Sequence, residues 1–534
     1  MLEIWSVVYD HLYVYIGAWM FLVLALTLFT GIPVPFALGG ISVATALLSI
    51  SMGILEWPVF YQIVQRVWGG DGGSGAIQNP ILVAIPCFVF MGTMLERSRV
   101  AVDLLDILQV MLRRVPGGLA LSVTVMGTIM AATTGIIGAS VVMITLLALP
   151  TMLARGYSPA LATGTIAASS TLGILIPPSI MLVLMANLLA VSVGNLFIGA
   201  IFPGLILSGL YFAYILTVGI VRPSMAPAMG KDEINMEPTN RRNLLLFGLF
   251  ILACIGLARA GSAGLIWDGV NWTLISFILI FLVSSVVGRA EGNTLLGGIL
   301  RGFVPPVFLI VIVLGSIFAG WATPTEAAGV GALGSLILAW TNRTLTFDVL
   351  KAVVNRTTVT TALIFFIFVG ATAFSTIFRN VYGEDLIIEF IEHLALGPWA
   401  LLFLLMGVIF IMGFFFDFLE IILIILPVFA PVIRALAPAF QDHLGMSGMP
   451  LAAVQSQVIY WFAIVVAVNL QTSFLTPPFG FALFYMKGVS PKSVTMQQIY
   501  TGIIPFVMLQ LIGLGLVLAY PQIALWLPDQ ILGR

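Results

Sequence analysis

The stretch Ser169-Ser170-Thr171-Leu172-Gly173-Ile174-Leu175-Ile176-Pro177-Pro178-Ser179 decides how this chain is read. No Asp, Glu, Lys or Arg lies between Arg155 and Arg222, on either side of it. An apolar run of that length belongs in a membrane. Yet its middle holds paired prolines, a glycine and a cluster of hydroxyls. Pro177 and Pro178 lack backbone donors and clash with the preceding turn, so a helix must break there. Carbonyls freed in hydrocarbon are tolerated only against protein or a wet cavity. A second such stretch stands in the other half of the chain: Asn469-Leu470-Gln471-Thr472-Ser473-Phe474-Leu475-Thr476-Pro477-Pro478. Interrupted apolar segments at corresponding places in two halves point to the binding site of a secondary transporter. The plainer alternative is a pair of kinked helices packing against neighbours.

Composition agrees with a membrane setting. Of 534 residues, 60% are hydrophobic and 8% charged, and mean hydropathy is +1.15. Soluble domains carry about 25% charged residues. The chain is therefore read as an all-α polytopic membrane protein, with roughly eleven to thirteen crossings or partial crossings. A net charge of −1 suggests no nucleic-acid partner. Cys87 and Cys254 both fall in apolar segments and imply no disulfide framework. His11, His393 and His443 are scattered without metal-ligand spacing. Glu3 and Asp10 precede the first apolar segment, unlike a cleaved signal peptide, so that segment is expected to remain as a helix.

Two parallel series of elements emerge along the chain. In residues 1–222, apolar segments at about 12–30, 32–54 and 80–95 flank a Gly-rich loop at 55–79. An amphipathic arm helix at 100–113, a hairpin at 115–154, the broken helix at 160–190 and a span at 195–221 complete the first repeat. The hairpin is either two full spans or one re-entrant loop. Residues 223–302 form a charged loop and two connecting helices. In residues 303–534, spans at 303–322, 324–341 and 357–378 precede an acidic arm at 383–395. A hairpin at 397–433, a broken helix at 452–487 and a span at 498–520 follow.

Lys/Arg bias orients the chain. Arg97, Arg99, Arg113, Arg114, Arg155, the 222–242 loop, Arg289, Arg301, Arg343, Lys351, Arg356, Lys487 and Lys492 all fit one side, taken as cytoplasmic. Both termini and the arm at 383–395 then lie outside. The two arms land on opposite faces, as an inverted repeat requires.

Hydroxyl and glycine residues gather at 133–140, 169–179, 412–420 and 469–478. A hard cation such as sodium takes oxygen ligands, which unwound backbone and hydroxyls supply without a full charge. One sodium site is expected at Gly135, Gly138, Ser140, Ser169, Ser170 and Thr171. A second is expected at Gly413, Asp417, Thr472, Ser473 and Thr476. A substrate carboxylate is expected between the breaks, near Ser179 and Thr476 beside Pro177 and Pro477, met by helix N-termini and bound sodium. The competing reading is that these small residues only let helices approach closely. Asp417 and Glu420 share a helical face and either serve the site or dock a partner. Glu326 reads as a cap: Thr323 at the N-cap, Pro324 in the first turn, Glu326 three residues on. No nucleophile–base arrangement, zincin motif or P-loop is present, so the chain is not read as an enzyme or an ATPase.

Several motifs together resemble the large membrane (M, DctM-type) subunit of tripartite ATP-independent periplasmic (TRAP) transporters. They are Gly31-Ile32-Pro33 with Phe36-Ala37-Leu38-Gly39, Ile85-Pro86 with Met91-Gly92 and Glu96-Arg97-Ser98, Ile176-Pro177-Pro178-Ser179, Ala322-Thr323-Pro324-Thr325-Glu326-Ala327-Ala328, and Thr476-Pro477-Pro478-Phe479-Gly480. The resemblance runs nearly end to end. It implies a sodium-coupled importer of the bacterial inner membrane with an elevator-type fold and two re-entrant hairpins. It also implies two partners, a small four-helix Q membrane subunit and a soluble periplasmic substrate-binding protein. With no Q-like segment before the first span, Q is expected as a separate chain. The part from Asn469 through Phe484-Tyr485-Met486-Lys487-Gly488-Val489 resembles the mannitol/chloroaromatic branch. That branch implies small organic acids, 2-oxo or 2-hydroxy monocarboxylates such as pyruvate or lactate. A proton-coupled carrier, a passive channel and an intramembrane enzyme are the rival readings. A channel needs a continuous polar lining, whereas here the polar residues concentrate at a few breaks.

Overall fold

Proline and glycine punctuation divides the chain into helices whose bounds follow the apolar segments. The computed structural model describes residues 2–532 except 70–74, 76, 135–136, 229–240, 263–271, 292–293, 394–395 and 478–479. Among the described residues, nine helices are long and apolar enough to cross a membrane. The chain is an all-α polytopic membrane protein.

Local chemistry sets the helix ends. Asn79 caps Pro80–Arg97 by accepting from the Ile81 N–H at 3.0 Å. Thr323 and Glu326 form a reciprocal capping box at the start of Pro324–Thr341, as their spacing predicts. The charge-free run breaks where the prolines fall. Helix Pro159–Thr171 tightens into a 3-10 turn at Leu172–Ile174, and a new helix, Ile180–Leu188, starts after Pro177-Pro178. In the other half, Leu451–Ser473 stops before Pro477 and Phe481–Val489 continues after it. Each break thus has an incoming and an outgoing half-helix. Two hairpins accompany them, Gly118–Thr134 with Ile137–Ala154 and Pro398–Met412 with Phe418–Ala435.

Three elements differ from expectation. The 55–79 loop contains a helix, Val59–Trp68, whose Val59 and Val67 are buried while Tyr61 and Val64 face outward. It is one-sided enough to lie flat against the long helix Phe347–Asn380. That helix itself starts about ten residues before the apolar segment at 357, because Thr346 caps it at a polar first turn. A further helix, Gln522–Leu532, follows the last span and packs against Val193–Val221. Both short helices carry too few apolar residues to register as spans.

The two series of elements pack reciprocally. The outer helices pair crosswise: Pro80–Arg97 of the first half lies on Pro324–Thr341 of the second, and Val34–Ser51 on Phe347–Asn380. The last span of each half packs on the incoming half-helix of the other. Val193–Val221 meets Leu451–Ser473, and Met496–Ala519 meets Pro159–Thr171. At the second of these crossings a side chain on Gly502 would sit 1.9 Å from the Ala160 carbonyl, and one on Gly164 would sit 2.2 Å from the Gly502 carbonyl. Glycine on both helices permits that approach.

Candidate functional site

Each hairpin's first arm presses on the break of its own half. A side chain on Gly127 would fall 2.5 Å from Ser169 Cβ, so the first hairpin touches the first break backbone to side chain. In the second half, Asn469 Nδ2 donates to the Met406 carbonyl at 2.8 Å, and Ser473 Oγ donates to the Phe410 carbonyl. Gly413, at the end of that arm, is the only residue type that fits there, since a Cβ would lie 2.3 Å from Ser473 Oγ. Each return arm packs on the break of its own half too, and also leans on the outgoing half-helix of the other half. Ile137–Ala154 packs on Phe481–Val489, and Phe418–Ala435 packs on Ile180–Leu188. Arg434, near the end of the second return arm, donates to the Leu189 carbonyl that ends the first outgoing half-helix. The two breaks and two hairpins therefore form one interlocked body.

Most hydroxyls at the breaks are turned onto their own helices, and of these all but the half-buried Thr476 are buried. Ser169 and Ser170 donate to the Thr165 and Ile166 carbonyls at 2.7 Å, and Thr171 donates to the Ala168 carbonyl at 3.0 Å. Thr472 donates to the Val468 carbonyl at 2.9 Å, and Thr476 to the Thr472 carbonyl at 2.8 Å. A hydroxyl so engaged has used its proton but keeps oxygen lone pairs, which suit a cation. Ser179 crosses its break: Oγ donates to the Ile174 carbonyl at 2.6 Å and caps the outgoing half-helix at the Leu182 N–H. Its hydroxyl holds the unwound segment in shape.

The expected residues separate into groups. Ser169, Ser170 and Thr171 lie together in the last turn of one half-helix, against both arms of the first hairpin. Ser140 is buried on the return arm. Gly135 lies outside the described residues. Gly138 faces the other half, where a Cβ would stand 3.2 Å from the Tyr485 ring. Gly413, Thr472, Ser473 and Thr476 gather around the second break. Asp417 is the N-cap of Phe418–Ala435: Oδ1 accepts from the Phe418 N–H at 2.8 Å, while Glu420 Oε2 accepts from the Asp417 N–H at 3.3 Å. The pair is a capping box. Its spacing repeats that of Thr323 and Glu326, the signal that identifies it from sequence. Pro177 and Pro477 bound the breaks.

Other residues enter from the tertiary structure. Tyr485, on the second outgoing half-helix, touches Gly138 on one side and lies within electrostatic reach of Asp417 and Glu420. It links the two hairpins. Gln471 and Gln510 flank the fully buried Tyr211 hydroxyl. Gln471 donates to it at 3.4 Å and Gln510 lies within its reach, yet neither Gln471 Oε1 nor the Gln510 amide makes a well-formed hydrogen bond among the described residues. Buried amides without partners are rare enough to need a reason. A cavity of about 540 Å³ opens beside Gly138, Ala139 and Tyr485 and is edged by Arg97, Arg99 and Arg356. The Arg356 guanidinium pairs with Glu96 at 3.1 Å. The arginines on this edge give the cavity a positive rim, which favours anions over cations.

The sequence profile described as "Tripartite ATP-independent periplasmic transporter, DctM component" matches residues 21–523. The C4-dicarboxylate TRAP transporter large permease protein DctM of Pseudomonas aeruginosa is 27% identical over 84% of this chain and 86% of its own length. The ectoine TRAP transporter large permease protein TeaC of Halomonas elongata is 25% identical over 88% of this chain and 89% of its own. Among solved structures, the YdaH transporter of Alcanivorax borkumensis aligns with a TM-score of 0.50 at 15% identity, covering 86% of this chain and 87% of that one.

Proposed function

This chain belongs to the DctM family of TRAP transporter large permease subunits, a multi-pass inner-membrane permease and not an enzyme, and on that premise we propose that it imports small organic acids by sodium symport. The observation that carries the proposal is the interlocked body of two hairpins and two broken helices. Its hydroxyl oxygens cluster beside the unwound backbone of both breaks. Sodium is assigned to the first break at Ser140, Ser169, Ser170 and Thr171. The second site is assigned to Gly413, Asp417, Thr472, Ser473 and Thr476. The substrate carboxylate sits between the breaks, near Ser179 and Thr476. No Lys or Arg stands within either break, so bound sodium and oriented N–H groups meet the negative charge. Desolvating a carboxylate uncompensated costs several kcal/mol, so the cation binds before the substrate or with it.

The relatives carry a C4-dicarboxylate and ectoine by name, so family membership leaves the cargo open. A 2-oxo or 2-hydroxy monocarboxylate is the cargo we propose, on the resemblance of the C-terminal broken segment. The arginine-edged cavity beside Gly138 supports an anionic cargo and gives it an aqueous exit on the Lys/Arg-rich side. Reciprocal packing supports an inverted repeat of residues 1–222 and 303–534, moving as an elevator with both termini periplasmic. The working assembly adds a Q membrane subunit and a periplasmic binding protein. Uptake in proteoliposomes containing both partners tests the reading. Pyruvate or lactate should accumulate only with an inward sodium gradient, and equal accumulation without sodium would exclude symport.

A further inference from the structure

Three apolar helices end beside one another around a second cavity, of about 580 Å³. Arg289 lies in the last turn of Trp272–Ala290. Arg301 lies in the wide turn Ile299–Phe303 that leads into Val304–Phe318. Arg343 follows the end of Pro324–Thr341. All three line the cavity. Because each stands at the end of an apolar helix, the cavity lies at the level where hydrocarbon gives way to lipid headgroups.

Two carboxylates share the cavity, Asp103 and Asp106 of the arm helix Val100–Met111. The arginines within electrostatic reach of them are not Arg289 or Arg343. Asp103 faces Arg99 and Arg301, and Asp106 faces Arg155 and Arg99. Among the described residues no carboxylate comes within 4.0 Å of Arg289 or Arg343. Two guanidinium groups therefore flank the cavity with no carboxylate that close among the described residues.

The remaining walls are apolar, including Phe281, Pro305 and Leu338. On the outer surface of the same helices Leu282, Ile337 and Trp340 are exposed, Trp340 by 69%. A tryptophan at that depth is characteristic of the headgroup boundary. A small soluble anion would use the arginines and leave the apolar walls and flanks unmatched. A phospholipid matches both, with phosphate between the arginines and chains along the exposed helix faces.

We propose that this cavity, between the arm helix and the helices carrying Arg289, Arg301 and Arg343, binds the headgroup of an anionic phospholipid. The lipid joins the arm to the outer helices at the Lys/Arg-rich surface. Arginine supplies planar, bidentate recognition of a phosphodiester that lysine does not reproduce.

The test uses the full chain, delipidated in detergent, with thermal stability and native mass spectrometry as readouts. Phosphatidylglycerol should raise Tm and remain bound, while phosphatidylcholine and inorganic phosphate should do neither. Arg289→Gln/Arg343→Gln should lower apparent affinity for phosphatidylglycerol by about tenfold or more. An equal response to phosphatidylcholine, an equal response to inorganic phosphate, or unchanged affinity in the double variant overturns the proposal. Photolabelling of the wild-type chain with a photoactivatable phosphatidylglycerol needs no variant to fold. Adducts should fall on Trp272–Ala290, Val304–Phe318 or Pro324–Thr341, and adducts confined to other helices overturn the assignment.

Discussion

Asp417 and Glu420 have the same spacing as Thr323 and Glu326 and make the same capping box, but beside a break rather than at an exposed helix start. Capping and ion binding can be separated by substitution. Asparagine is as good an N-cap as aspartate, whereas alanine is not. Asp417→Asn should therefore keep thermal stability and weaken transport most at low sodium, and Asp417→Ala should in addition lose about 1 kcal/mol of stability. Sodium dependence measured on both variants decides the point: an Asp417→Asn protein with wild-type sodium dependence leaves the carboxylate as a cap alone. Gln510 poses the opposite case. Its amide atoms are buried with no well-formed hydrogen bond among the described residues, and an apolar replacement of an unsatisfied group is neutral or stabilising. Gln510→Leu should leave Tm unchanged or raise it in a thermal-shift assay. A clear drop in Tm would mean that the amide has a partner in the assembled transporter.

At the scale of elements, the small residues serve two purposes that their spacing does not distinguish. Gly164 and Gly502 let Pro159–Thr171 and Met496–Ala519 cross with backbone nearly in contact. Gly502→Ala would place a methyl 1.9 Å from the Ala160 carbonyl, so the helices must part. A stability loss of about 1–3 kcal/mol is expected from such overpacking, read as a lower Tm in the same detergent. Gly39 and Gly40, on Val34–Ser51, have no such neighbour. The hydroxyls of Ser169, Ser170 and Thr472 likewise bond to their own helices, as packing alone would have them do. What marks them out is position: they sit in the last turn before unwound backbone, beside a hairpin.

Across the whole molecule, the elevator reading requires the second hairpin to move past the first helix, Leu2–Phe29. In this conformation the Phe29 and Phe415 rings meet edge to face with centroids 5.3 Å apart. A greasy crevice of about 660 Å³ runs along the same boundary, lined by Phe21, Leu28, Leu405 and Met412. A Phe29→Cys/Phe415→Cys variant, built after replacing Cys87 and Cys254, should stop transport when bridged by a short bifunctional thiol reagent. A cleavable reagent should restore transport on reduction. Full activity in the bridged protein would show that these two elements do not move apart during the cycle. The charged groups behave coherently at this scale. Residues that Lys/Arg bias assigns to one side meet in space, with Arg356 on Glu96 and Arg289, Arg301 and Arg343 around one cavity.

Hydropathy and proline placement determined, from sequence alone, that the chain is helical and membrane-embedded and that two segments break. Those signals are local: an apolar run must be buried, and a proline pair cannot continue a helix whatever surrounds it. Capping chemistry is local as well, which is why the Glu326 box was legible, and the Asp417 box equally readable though assigned another role. Only the tertiary structure decided that each hairpin grips its own break with both arms and that its return arm also reaches the opposite outgoing half-helix. It also placed Gly138 on Tyr485 of the other half, and gathered arginines from separate helix ends around shared cavities. Such pairings join residues far apart in the chain, and no periodicity records them. They are fixed by which surfaces fit once all the helices are packed together.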